Sequence, residues 1–250
     1  MHIAPRSALT YVMLPGMDGD GRLFARFRKA VEMGARGHQV VVVSYNQLGL
    51  STYAQVEAVV RERVASLGPV VLIAESYSGP ALVRLCATPP PNLRAGVLVA
   101  SFVRRPVWKP PGLVMGALPW VMAQTPPRWA LRLALVGPDA DPALLEEVRA
   151  AISSAPADLL FERLQAIVAV DARASLRDCQ LPLLSIRATR DRLLSQRVSR
   201  ALKVDCPQLI EVAIDGPHLL LQVRPAEVLA ELEAFLDGLS GLALGVEDDP

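Results

Sequence analysis

Residues 70–85 read VVLIAESYSGPALVRL. An apolar, β-branched run passes without a break into Glu75-Ser76-Tyr77. The small residues Ser78 and Gly79 follow, and then an apolar helical segment. A run with no polar alternation is what a parallel strand covered on both faces requires. Outward from it, comparable runs fall at 9–14, 40–44, 96–100, 183–187 and 209–214, with helical segments between them. Thr52 and Gln55 form a capping box, Gly68-Pro69 ends that helix, and Pro225 opens the last one. This alternation predicts an α/β fold: a doubly wound, parallel sheet of six strands.

The alternation breaks once. Between 101 and 181 no strand is legible, and the segment is Pro-rich and then helical, with starts at Asp141-Pro142 and Pro156. The expected organisation is a core of residues 1–101 and 182–250, with 102–181 inserted as a helical lid over the carboxyl ends of the strands. No internal repeat is present, and the tail SGLALGVEDDP is expected to be frayed.

Composition narrows the function classes. The 250 residues are 52% hydrophobic and 20% charged, with a formal net charge of +1, which excludes a disordered or collagen-like chain. That balance supplies no field for nucleic acid or an anionic membrane. Cys86, Cys179 and Cys206 make neither a disulfide framework nor a zinc-ligand spacing, as expected of a cytoplasmic protein. The opening MHIAPRSALTYVMLPG lacks the features of a signal peptide. The uncharged stretch 110–127 is interrupted by Pro110, Pro111, Pro119, Pro126 and Pro127, which argues against a membrane-spanning helix.

The strand–Ser76–helix passage resembles the nucleophile elbow of the α/β-hydrolases, a strained turn that lifts a serine hydroxyl above the sheet. The family pattern G-x-S-x-G is met with Ala74 and Ser78 at its glycine positions, and Gly79 follows at once. Ser78 is a rival nucleophile, and a serine that merely caps a helix is the structural alternative. The serine needs a base. Of the three histidines, His2 lies at the terminus and His38 at the amino end of the sheet. His218 follows the last strand, at the carboxyl end where open α/β sheets bind ligands. Asp191, just past the strand at 183–187, is the candidate to orient His218, with Asp205 and Asp215 as competitors. The order Ser76, Asp191, His218 is the one this family uses.

The resemblance, which runs from Leu9 to about Leu236, also implies an oxyanion hole. Its backbone donors would be Tyr77 and Met17, the latter in LPGMDGDGRLF, where Pro15-Gly16 replaces the family's frequent His-Gly. The two aspartates of that loop do not match a calcium loop. The family's antiparallel N-terminal hairpin is expected to be missing. Trp108, Trp120 and Trp129 fall in the insertion, and with Leu113, Met115, Leu118 and Met122 they are the expected substrate-binding wall. Arg104 and Arg105, where the lid begins, could attract a carboxylate or a phosphopantetheine-type carrier, or remain solvated surface.

The function these features imply is a serine hydrolase that cleaves carboxylic esters through an acyl-enzyme, resembling small lid-bearing bacterial carboxylesterases. No metal or organic cofactor is called for. The partner is a small-molecule ester, possible carrier linkage included, with no nucleic acid and no integral membrane contact. An acyltransferase or thioesterase using the same triad, or a non-catalytic receptor on the same scaffold, are the alternatives.

Overall fold

The computed structural model describes residues 8–106 and 126–243. Six strands form one parallel sheet: β1 (Thr10–Leu14), β2 (Gln39–Val42), β3 (Val70–Glu75), β4 (Leu93–Val99), β5 (Leu183–Ala188) and β6 (Ile210–Ile214). Their order is β2-β1-β3-β4-β5-β6, so the direction of winding reverses between β1 and β3. All six expected strands are present. The β2 run stops early because Ser44 turns directly into a short helix, α2 (Tyr45–Leu48), after α1 (Ala25–Met33).

Burial on both faces explains the unbroken apolar runs. Val70, Leu72 and Ala74 of β3 enter a core beneath α3 (Tyr53–Ala65) and α4 (Gly79–Ala87). Val71 and Ile73 enter the opposite core, beneath α1 and the last helix. Full burial of each Val, Leu or Ile among them contributes roughly 1.5–3 kcal/mol. The Thr52–Gln55 capping box forms as read. His38 lies at the amino end of the sheet, where its Nδ1 accepts from the Leu9 amide at 3.1 Å and its ring packs on Tyr11.

Between β4 and β5 come α5 (Arg128–Leu131), a π-turn over Arg132–Val136, α6 (Pro142–Ser154), α7 (Ala157–Ala169) and α8 (Arg173–Arg177). The chain leaves the sheet and returns through a short antiparallel pairing, with Arg105 N donating to Val170 O at 3.0 Å and Ala172 N to Val103 O at 2.8 Å. Leu131, Val136, Leu144, Leu145 and Val148 pack with Leu23 and Leu219, which seats these helices over the carboxyl ends of the strands. The chain continues through α9 (Gln196–Asp205), α10 (Leu220–Val223) and α11 (Pro225–Ala243). Cys86, Cys179 and Cys206 are buried free thiols. Among the described residues, no helix is long and apolar enough to cross a membrane.

Candidate active site

β3 ends at Glu75, and Ser76 then takes a left-handed backbone conformation with φ 47°. A non-glycine residue held there costs about 1–3 kcal/mol, so neighbouring contacts must enforce it. Ser101 Oγ donates to the Ser76 carbonyl at 2.5 Å. At Gly79 a Cβ would lie 2.2 Å from Ser101 Oγ and 2.4 Å from the Phe102 carbonyl, so α4 crosses β4 this closely only on a glycine. The essential small residue thus sits one position later than the family pattern.

The turn brings Ser76 Oγ to 2.9 Å from His218 Nε2. His218, in the loop after β6 and 2% exposed, places its Nδ1 2.7 Å from Asp191 Oδ2. Asp191 Oδ1 accepts from the amides of Leu193 and Leu194 at 2.8 and 2.9 Å, leaving Oδ2 for the ring. Facing a carboxylate, Nδ1 carries the hydrogen, so Nε2 is the acceptor for the Ser76 hydroxyl. The β5 and β6 loops are tied together, Thr189 N donating to Ile214 O and Arg190 N to Gly216 O, both at 3.0 Å. From the insertion, Leu135 O accepts from Leu219 N at 3.0 Å, and Gly137 packs on Pro217. His218 is therefore held from both sides.

The competing residues are engaged elsewhere. Ser78 is fully buried, receives a hydrogen bond from Tyr45 Oη at 2.6 Å and donates to the Pro15 carbonyl. It knits the elbow to the loop after β1. Asp205 pairs with Arg177 at 3.1 Å, and Asp215 with Arg190 at 3.0 Å and Thr189 Oγ1 at 2.8 Å.

The loop after β1 is a closed turn. Gly19 N donates to Gly16 O at 3.1 Å, and Asn46 Nδ2 donates to Asp18 O at 2.9 Å. Gly16 and Met17 line the same cavity as Ser76 and His218. Tyr77 is buried, with its hydroxyl donating to Ser51 O at 2.7 Å and its ring stacked on Tyr53.

That cavity, of about 480 Å³, has an aliphatic wall supplied by the inserted helices, including Leu131, Leu135, Ile152, Leu160, Leu164 and Ile167. Among the described residues, the inserted helices bring no aromatic side chain to it, and Phe102, just after β4, lines it as well. Trp129 is 70% exposed and stands outside the cavity, because α5 turns Ala130 and Leu131 inward instead. Trp108, Trp120, Leu113, Met115, Leu118 and Met122 lie outside the described residues, as does His2. Arg104 and Arg105 are exposed.

Two residues at this site escaped the sequence reading. Glu75 is 1% exposed, lines the cavity, and leaves Oε1 without a hydrogen-bond partner. Burial, reinforced by the negative charge of Asp18, pushes its carboxyl up to about 8. Burial likewise raises the Asp18 carboxyl above its ordinary value. A carboxylate closing an apolar strand was the signal. Arg163, fully buried on α7, shares the face of Leu160, Leu164 and Ile167. Its signal was a charge at i, i+3, i+4 spacing among core positions.

Comparison with curated proteins returns no match. Among solved structures, a lipase-esterase related protein from Clostridium acetobutylicum ATCC 824 superposes with a TM-score of 0.75 at 18% identity, covering 94% of this chain and 98% of that one. An enol-lactonase from Burkholderia xenovorans LB400 gives 0.78 at 17% identity, with 92% of each chain covered. A bromoperoxidase from Bacillus anthracis gives 0.77 at 15% identity, again with 92% of each. Such likeness establishes the fold and leaves the chemistry to the site. The alpha/beta hydrolase family model matches residues 11–232, which take in all of the sheet but Thr10 together with the Ser76–Asp191–His218 cluster, and the chain belongs to that family.

Proposed function

We propose that the protein is a serine hydrolase of carboxylic esters. The observation that carries this reading is the continuous relay from Ser76 Oγ through His218 to Asp191, at 2.9 and 2.7 Å, at the floor of an aliphatic cavity. His218 Nε2 takes the proton of Ser76 as Oγ attacks the ester carbonyl, and Asp191 holds the ring and stabilises the imidazolium. The amides of Met17 and Tyr77 receive the oxyanion, a term worth about 10²–10³ in rate per donor. His218 then protonates the leaving alcohol. Water, deprotonated by His218, attacks the acyl-enzyme and releases the acid.

The aliphatic wall favours an acyl chain over a polar acid, with each enclosed methylene adding about 0.8 kcal/mol. Residues 102–181 act in this reading as a lid that shapes the acyl site. The lipase-esterase and lactonase names among the structural neighbours accord with ester chemistry. The three reduced thiols accord with a reducing compartment.

Labelling with a fluorophosphonate, together with turnover of p-nitrophenyl esters, tests the reading. Wild type should label at Ser76 and release acid, and Ser76→Ala should do neither. A wild-type protein inert to both would overturn it in favour of a receptor. Transfer of the acyl group to an added alcohol in preference to water would make it an acyltransferase.

A further inference from the structure

Arg163 is a cation removed from water, and its hydrogen bonds all end on backbone carbonyl oxygens. Nε and Nη2 donate to Leu50 O at 3.1 and 2.7 Å, and Nη1 donates to Met17 O at 3.0 Å. Burying a guanidinium without a hydrogen-bonded carboxylate is unfavourable, so the position asks for a return elsewhere in the molecule. The loop it grips gives the reason.

The Gly16–Met17 peptide carries the Met17 N–H, and its own carbonyl, Gly16 O, is held by Gly19 N at 3.1 Å. Arg163 holds the next carbonyl along, Met17 O. Both sides of the donor peptide are thereby fixed. Room for this grip is made at Gly19: its φ is +68°, and a Cβ there would lie 2.3 Å from Arg163 Nη1. Gly19 O accepts from the amides of Tyr45 and Asn46 at 2.7 and 3.1 Å, and the Tyr45 ring lies 5.8 Å from the guanidinium. One planar fork, reaching two loops at fixed angles, is something lysine cannot reproduce.

We infer that Arg163 is a positioning residue, reaching from the inserted helix α7 to hold the oxyanion-binding loop so that the Met17 amide faces the Ser76 hydroxyl. This rests on the serine hydrolase reading above and deepens it. The insertion then does more than cover the cavity. Through Arg163 it orients the oxyanion donor, and through Leu135 O it holds the segment that carries His218.

The test compares wild type, Ser76→Ala, Arg163→Lys and Arg163→Ala by fluorophosphonate labelling rate and by ester kinetics. For Arg163→Lys the expectation is a labelling rate and kcat lowered about 10-fold or more, with KM within about 3-fold and the fold intact by circular dichroism, as when transition-state binding alone is lost. For Arg163→Ala the loss approaches the ~10²–10³-fold of a missing oxyanion donor. Guanidinium at non-denaturing concentration should restore several-fold of the Arg163→Ala rate while leaving wild type and Arg163→Lys unchanged, an effect that general loosening of the fold would not produce. Should Arg163→Ala not fold, Arg163→Lys decides alone. A folded Arg163→Lys protein with wild-type labelling and kcat, or one altered in KM only, overturns the inference. A wild type that fails to label overturns the hydrolase reading instead, so the two failures are told apart.

Discussion

Glu75 and Asp18 face each other across Gly16. A Cβ built on that glycine would lie 3.7 Å from Glu75 Oε2, 3.3 Å from Asp18 Oδ1 and 3.9 Å from the Cβ of Ser76. Two carboxyl groups with raised values thus flank the junction between the loop after β1 and the elbow. Gly16, having no side chain, leaves the space between them and lets the loop lie close to Ser76.

The pH dependence of stability follows. Glu75 titrates at about 8 when folded, against an ordinary value of 4.5. Below pH 4.5 both folded and unfolded chains hold the proton and stability is unaffected. As pH rises from 4.5 to 8 the unfolded chain ionises first, and stability falls. Above 8 the fall ends. Glu75→Gln should flatten this slope, which melting temperature against pH would reveal. Parallel curves for the two proteins would mean that Glu75 is ionised throughout.

Ser76→Ala should lower kcat by about 10⁴–10⁶ with little change in stability. Ser78→Ala should do the opposite. It leaves Tyr45 Oη and Pro15 O without their shared partner, at a cost of roughly 1–3 kcal/mol, while Ser76 still labels. Denaturant melts and probe labelling of both variants make the comparison, and loss of labelling in Ser78→Ala alone would exchange the two roles.

Asp191→Asn should remain folded and lose about 10⁴ in kcat, because an amide cannot hold the imidazole in the tautomer that receives the Ser76 proton. Asp205→Asn and Asp215→Asn, which break only the pairs with Arg177 and Arg190, should stay within about 0–1 kcal/mol of wild-type stability and keep their turnover. Steady-state kinetics on the three variants settles which carboxylate serves His218.

Ile152→Ala and Leu164→Ala should move the preferred acyl length upward in a series of C2 to C10 p-nitrophenyl esters. Each added methylene that finds room is worth about 0.8 kcal/mol, near fourfold in kcat/KM. Trp129→Ala should leave the profile parallel to wild type, since that ring stands in solvent. A shifted Trp129→Ala profile would relocate the acyl wall.

Gly79→Ala places a methyl against Ser101 Oγ and the Phe102 carbonyl. Overpacking of this kind costs about 1–3 kcal/mol. Because Ser101 Oγ also holds the Ser76 carbonyl, labelling should slow as stability falls. Unchanged melting would show that α4 can shift away from β4.

The sheet was legible because burial on two faces leaves no room for polar alternation: Val70, Val71, Leu72 and Ile73 must all be apolar, and a continuous run follows. The helix starts at Thr52 and Asp141 were legible because caps are local, made with amides two or three residues away. Even the meeting of Ser76, Asp191 and His218 was foreseeable. In a parallel sheet every strand delivers its following loop to one edge, and only His218 among the three histidines stood on such a loop.

What the sequence determined by itself was therefore everything set by neighbours along the chain: which segments are strands, where helices begin, and which end of the sheet each loop reaches. The tertiary structure decided the rest. Trp129 turned outward because the seating of α5 on the cavity is fixed by packing against distant helices. Ser78 became a strut because Tyr45, 33 residues away, came within 2.6 Å. The Glu75 carboxyl is pushed up because the surrounding core excludes water and the Asp18 charge lies near, and Arg163 found Met17 across 146 residues. A charge or a hydroxyl carries no mark of its future surroundings. Its protonation and its partners are set by desolvation and by contacts that exist only once the chain has closed on itself.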